Sequence, residues 1–299
     1  MLIKKVVLVF SILVLMFFVV GCDNTEQSNI EVRGSDTMVN LGQRLAEAYM
    51  ENNDQVSISV TGGGSGTGIA AMIDNRVDIA NSSRDMSDTE IRQARDNGVE
   101  PVEIAIAMDG LAVFVNDSIP ISELTMDQVG AIFRGDISNW SELGGPDRTI
   151  SMYGRQSNSG TFVYFREAVL KADFSDAVKR MNGTAQIIEG VINDNAAIGY
   201  GGIGYTVDDD QVVDGLRVLK IAVDENSEAA SPLVAANVES GAYPIARPLF
   251  NYTNGIPEGE ILDYILFIIA EQGQETAVNA GFYPINPEYR AQNNQTLGL

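Results

Sequence analysis

Three stretches of the chain place glycine, serine and threonine directly ahead of a helical pattern: Gly34-Ser35-Asp36-Thr37, Gly64-Ser65-Gly66-Thr67 and Asn158-Ser159-Gly160-Thr161. A helix start leaves backbone N–H groups unpaired and carries partial positive charge. Glycine lets the backbone approach a ligand, and a hydroxyl adds another donor. Any one of these stretches taken singly reads as an ordinary N-cap. Capping alone, however, requires neither the glycine runs nor the arginines nearby, Arg84 and Arg155. Taken as a set, the three point to several helix starts converging on one oxyanion.

The residues that are missing narrow the chemistry. The sequence has no histidine, so Ser-His-Asp and Cys-His catalysis are excluded, and a zinc or copper site would have to be built from carboxylates. Thr61-Gly62-Gly63-Gly64-Ser65-Gly66-Thr67-Gly68 lacks the Lys-Ser/Thr ending of a P-loop. Gly66 to Ala71 does fit G-x-G-x-x-A with Asp85 further on, but a dinucleotide is a poor match for a chain whose first residues, described below, read as a secretory signal. Asp208-Asp209-Asp210 lacks the spacing of a calcium loop and reads as a solvated turn. No metal, cofactor or base-nucleophile pair is expected, and the chain reads as a binder, not an enzyme.

The elements that must hold these residues alternate between strand and helix, which implies a layered α/β architecture. Strands are predicted over 30–33, 56–61 and 76–81, and helices over 37–50, 67–73, 88–97 and 261–270. The apolar run 104–116, interrupted by Asp109-Gly110, reads as one strand crossing between lobes with a hinge at that dipeptide. The segment 243–253 is its return. These crossings predict a first lobe made of 30–109 plus 247–299 and a second of 110–246.

At the N-terminus, Lys4 and Lys5 precede an apolar run from Val6 to Val20 that stops at Gly21-Cys22. The run is shorter than a spanning helix needs and reads as a signal peptide over 1–21. Cys22 is the only cysteine, and its setting resembles a bacterial lipobox, with residues 22–29 as a lipid-anchored tether. The expected location is extracytoplasmic, on the outer face of the cell membrane. Net charge is −22, which argues against nucleic acid or anionic lipid as partner. A small anion is still admitted, because site dipoles and arginines act at contact while distant surface charge is screened beyond about 10 Å.

Longer runs carry a family resemblance. Val32 to Met38, Val60 to Gly68, Asp78 to Arg84, Ile132 to Gly135 with Asn139-Trp140, Arg155 to Phe162, Ala197 to Tyr200, and Tyr243-Pro244 to Pro248-Leu249 follow one another in a single order. The sequence in this respect resembles the phosphate-binding subunit (PstS) of the ABC phosphate importer, over nearly the whole mature chain.

The resemblance implies a two-lobed type 2 periplasmic-binding-protein fold, with mixed sheets flanked by helices and phosphate in the cleft between lobes. It assigns phosphate contacts to Ser35, Thr37, Ser65, Arg155, Ser159, Gly160 and Thr161, and an ABC permease and ATPase as partners. At Arg84 the chain departs from the commoner family pattern, in which an aspartate accepts the phosphate's proton. Arginine cannot accept a hydrogen bond. Either Asp36 or Asp109 takes that role, or Arg84 joins the phosphate contacts and favours the dianion; pairing of Arg84 with Asp85 is a third reading. Receptors for sulfate, molybdate or a phosphonate, and a phosphate-sensing lipoprotein, are the alternative functions.

Overall fold

The computed structural model describes residues 27–208 and 211–299. The leader, Cys22, and Asp209-Asp210 of the expected acidic turn lie outside the described residues.

The chain opens with β1 (Ser28–Gly34), a 3-10 turn (Asp36–Met38) and α1 (Val39–Met50). Next come β2 (Val56–Thr61), α2 (Ser65–Ile73), β3 (Ile79–Ser82), α3 (Asp88–Asp96) and β4 (Pro101–Gly110). The middle holds β5 (Ala112–Asn116), β6 (Glu123–Thr125), α4 (Met126–Arg134), β7 (Ser151–Arg155) and α5 (Gly160–Phe165). It continues through β8 (Lys179–Met181), α6 (Thr184–Ile192), β9 (Ala197–Gly201) and the short strands β10 (Val207–Asp208), β11 (Gln211–Val212), β12 (Leu216–Val218) and β13 (Lys220–Ala222). After α7 (Ala235–Glu239), β14 (Ala246–Asn254) leads into α8 (Gly259–Ile269), α9 (Glu271–Asn279) and α10 (Pro287–Leu297).

Two five-stranded mixed sheets result. The first has the order β2-β1-β3-β14-β4 and the second β12-β5-β9-β7-β8. In the first, β1 runs parallel to β2 and β3 while β14 runs antiparallel to β3 and β4. In the second, β7 is parallel to β8 and β9, and β5 is antiparallel to β9 and β12. Each sheet has its own core. One cluster collects buried residues such as Ile30, Leu41, Ile79, Ile104, Phe250 and Ile265, the other Phe114, Phe133, Trp140, Phe165, Ile198 and Tyr243. The fold is two-lobed α/β: the alternation of strand and helix implied the layers, and the crossing segments and the family resemblance the two lobes.

Several element limits differ from expectation for local reasons. Ser28 and Asn29, expected at the end of the tether, already pair with Val56 and Ser57 in the first sheet. Residues 76–78 precede β3 because the Arg76 N–H returns to the Ala71 carbonyl, closing off α2. The long run 104–116 is two strands, broken at Leu111, whose N–H donates to the Ile245 carbonyl at 2.8 Å as the chain leaves one sheet for the other. The first helix begins as a 3-10 turn before becoming α-helical at Val39.

Candidate anion-binding site

The candidate residues follow the carboxyl ends of parallel strands, where open α/β sheets place ligands. β1 delivers Ser35 and Thr37, β2 delivers Ser65, β3 delivers Ser83, and β7 delivers Arg155, Ser159 and Thr161. Between β2 and α2, Gly64 has φ of +99°, and a Cβ there would lie 2.8 Å from the Asn158 carbonyl oxygen. A side chain would therefore separate the second and third helix starts. Ser159 caps α5, its Oγ accepting from the Phe162 N–H at 3.4 Å.

These segments converge. A Cβ on Gly160 would fall 2.3 Å from Ser65 Oγ and 2.7 Å from Ser83 Oγ. Thr37 and Thr161 hydroxyls meet at 2.8 Å across the lobes. Ser35 Oγ donates to Ser83 Oγ at 3.0 Å, and the Ser83 N–H donates to Ser65 Oγ at 3.1 Å. Ser35, Thr37, Ser65, Ser83, Ser159 and Thr161 are each no more than 2% exposed. Six buried hydroxyls from four segments bond largely to one another and together form a concentration of polar groups that could serve a polar occupant.

Charge is arranged around them in two pairs. Arg155 is 1% exposed and bonds Asp36 from the opposite lobe at 3.2 Å. Its Nη1 donates to Thr184 Oγ1, its Nη2 to the Asn182 carbonyl, and its N–H to Tyr200 Oη. Among the described residues its buried Nε has no partner. Burial pulls the Arg155 guanidinium below its ordinary pKa, and the Asp36 charge opposes that pull. Asp36 Oδ2 also accepts from the Thr184 N–H at 2.9 Å, and Tyr205 Oη donates to the Asp36 carbonyl at 2.8 Å. The Tyr205 phenol is held protonated by burial and by the nearby Asp36 charge.

The second pair is Asp109 with Arg247, which face each other directly across β4 and β14. Arg247 Nε and Nη2 both donate to Asp109 Oδ2, at 3.1 and 2.9 Å. Nη2 also donates to Thr161 Oγ1 at 2.9 Å, and Nη1 to the Ser83 carbonyl at 2.9 Å. The Ile203 N–H donates to Asp109 Oδ1 at 3.2 Å.

Arg84 stands apart from this set. Its guanidinium forms a fork with the Glu90 carboxylate at 2.7 and 2.8 Å and donates to the Asp85 carbonyl. Pairing with the Asp85 carboxylate is likewise not what forms. The cause is local: Glu90 occupies the third position of α3, closing a capping box with Ser87, and this turns its carboxylate back toward Arg84. Burial works against both charges, but the mutual hydrogen bond and attraction leave the Arg84 pKa raised and the Glu90 pKa lowered.

Ser83, Thr184 and Arg247 were not singled out from sequence. Ser83 adjoins Arg84, but it is Ser83 that turns toward Ser35 and Ser65 while Arg84 turns to Glu90. Arg247 had one legible signal, an arginine inside an otherwise apolar β segment, 243–253.

A two-lobed α/β fold enclosing hydroxyls and an arginine between its lobes defines a solute-binding protein of the type 2 periplasmic class. Residues 23–272 match the family model described as a PBP superfamily domain. The Pseudomonas aeruginosa phosphate-binding protein PstS is 30% identical over 289 residues, covering 91% of this chain and 87% of the relative. Staphylococcus aureus PstS is 30% identical over 267 residues, covering 87% and 79%. A Clostridium perfringens protein, described as a phosphate ABC transporter substrate-binding protein and crystallised with bound phosphate, superposes with a TM-score of 0.76 at 27% identity, covering 87% of this chain and 100% of that one. The chain belongs to the PBP superfamily and, within it, to the family of PstS phosphate-binding proteins.

Proposed function

We propose that this protein captures inorganic phosphate between its lobes and delivers it to an ABC importer, without catalysing a reaction. One observation carries the reading: six hydroxyls drawn from both lobes are buried together, and Arg155, on the segment that carries two of them, is buried with an unpartnered Nε. Ser35, Ser65, Ser83, Arg155, Ser159, Thr161 and the backbone of Thr37 and Gly160 form the phosphate contacts. Residues 28–110 with 246–299 make one lobe and 111–245 the other, two residues longer at the start than the sequence implied and one longer at each crossing, and the lobes rotate at the crossings near Leu111 and Ile245.

With both arginines matched by carboxylates, the anion's charge is met chiefly by oriented N–H and O–H dipoles. Charge-assisted hydrogen bonds contribute roughly 1.5–3 kcal/mol each, so half a dozen support sub-micromolar affinity after the costs of closure. Of the two carboxylates, Asp36 is the better acceptor for the phosphate's proton. Its Oδ1 accepts no hydrogen bond among the described residues, whereas both oxygens of Asp109 do. Lipid on Cys22 holds the protein to the outer face of the membrane, where it docks on the permease driven by the ATPase.

Thermal melting tests the assignment. Phosphate at a hundredfold its Kd stabilises the folded state by about 2.7 kcal/mol and raises Tm accordingly. Stabilisation by sulfate, molybdate or a phosphonate in place of phosphate would assign the site to another oxyanion.

A further inference from the structure

Besides its pairing with Asp109, Arg247 reaches the candidate site from both lobes. It is 2% exposed and its guanidinium lies 5.2 Å over the Tyr164 ring. Three of its contacts belong to separate segments: the Asp109 carboxylate on β4, the Ser83 carbonyl after β3, and the Thr161 hydroxyl of the other lobe.

The direction of the Thr161 bond is fixed by chemistry. Guanidinium only donates, so Thr161 Oγ1 must accept from Arg247. The hydroxyl's single proton is then free to point elsewhere. Thr37 Oγ1, 2.8 Å away, is also a hydroxyl and can supply its own proton to the second lone pair of Thr161. In that arrangement Thr161 accepts twice and its proton is directed into the enclosure, where an anion needs a donor. Asp109 holds Arg247 for this task, because two guanidinium nitrogens meet one carboxylate oxygen.

We propose that Arg247 is a positioning residue of the phosphate site: fixed by Asp109, it donates to Thr161 Oγ1, commits the Thr161 proton to the bound anion, and ties Ser83 to Thr161 when the lobes are closed. This rests on the phosphate reading above. Lysine cannot replace it, since one ammonium cannot reproduce the planar fork that serves Asp109, Ser83 and Thr161 together.

A double-mutant cycle on the mature protein tests the proposal, with phosphate Kd measured by calorimetry and Tm of each ligand-free variant as the check on folding. Arg247→Lys retains the charge opposite Asp109 and is the primary variant; Arg247→Gln with Asp109→Asn serves if Arg247→Lys does not fold. The expected result is a loss of about tenfold or more in phosphate affinity when Arg247→Lys is introduced into wild type or Thr161→Ser, shrinking to less than about threefold in Thr161→Val, which has no hydroxyl to orient. An equal loss in all three backgrounds, or no loss in any, overturns the proposal. Failure of the wild-type protein to bind phosphate overturns the phosphate reading instead, and is seen before any variant is made.

Discussion

Arg155 Nη1 lies 3.2 Å from Asp36 Oδ2, joining the end of β7 in one lobe to the first turn of the other. The two residues are 119 positions apart in sequence, and the pair exists only when the lobes are together. With Asp36 also accepting from the Thr184 N–H, the contact anchors one side of the enclosure while Arg247 and Asp109 anchor the other.

Arg155→Met removes the charged donor from a desolvated site. Phosphate affinity is expected to fall by roughly 2–5 kcal/mol, the range for truncating one partner of a buried hydrogen-bonded charge pair. Calorimetry against wild type measures it, and a change below about 1 kcal/mol would remove Arg155 from the contacts.

Asp36→Asn keeps the shape of the cross-lobe contact but takes away its charge. If Asp36 accepts the phosphate's proton, the variant binds phosphate more weakly and sulfate more tightly, because the amide can present a donor where the carboxylate presents only acceptors. The same pair of titrations on Asp109→Asn is expected to weaken both anions alike. Unchanged selectivity in Asp36→Asn would show that the proton is accepted elsewhere.

Arg84→Ala is expected to cost roughly 1–3 kcal/mol of stability through its fork with Glu90 and to leave phosphate affinity nearly unchanged. The effect has a pH signature. Glu90 has a lowered folded pKa, so its contribution is fully present above the unfolded carboxylate value of about 4.3 and is lost as pH falls through the folded value. In urea unfolding, the wild-type advantage over Arg84→Ala should therefore be present at neutral pH and shrink in acid. A large loss of phosphate affinity in Arg84→Ala would return Arg84 to the site.

Cys22→Ala tests the anchor separately from the site. The variant is expected to leave the membrane fraction and to bind phosphate as wild type does. Metabolic labelling that still attaches fatty acid to the Cys22→Ala protein would exclude Cys22 as the lipidated residue.

What could be read from sequence was what is local in sequence. Glycine beside a hydroxyl and ahead of an amphipathic helix is legible within a dozen residues, and Ser35, Ser65, Ser159 and Thr161, singled out on that pattern, lie buried in neighbouring turns. Which residue of Ser83-Arg84 turns inward depends on where Glu90 is placed by its capping box, a fact of the folded turn. Arg247 depends on strand register: it faces Asp109 only because β14 pairs antiparallel with β4, and 138 residues separate the two in sequence. The alternation of strands and helices gave the layered fold. The break at Leu111 was misplaced by one residue, because Asp109-Gly110 looks like a turn while Asp109 in fact continues the strand and serves Arg247.

Phosphate capture is tested most directly by titrating phosphate into the protein by isothermal calorimetry, with sulfate and molybdate as competitors. One phosphate per chain is expected at sub-micromolar Kd, undisturbed by an excess of either competitor. Absence of phosphate heat at micromolar protein, with sulfate or molybdate binding in its place, would contradict it.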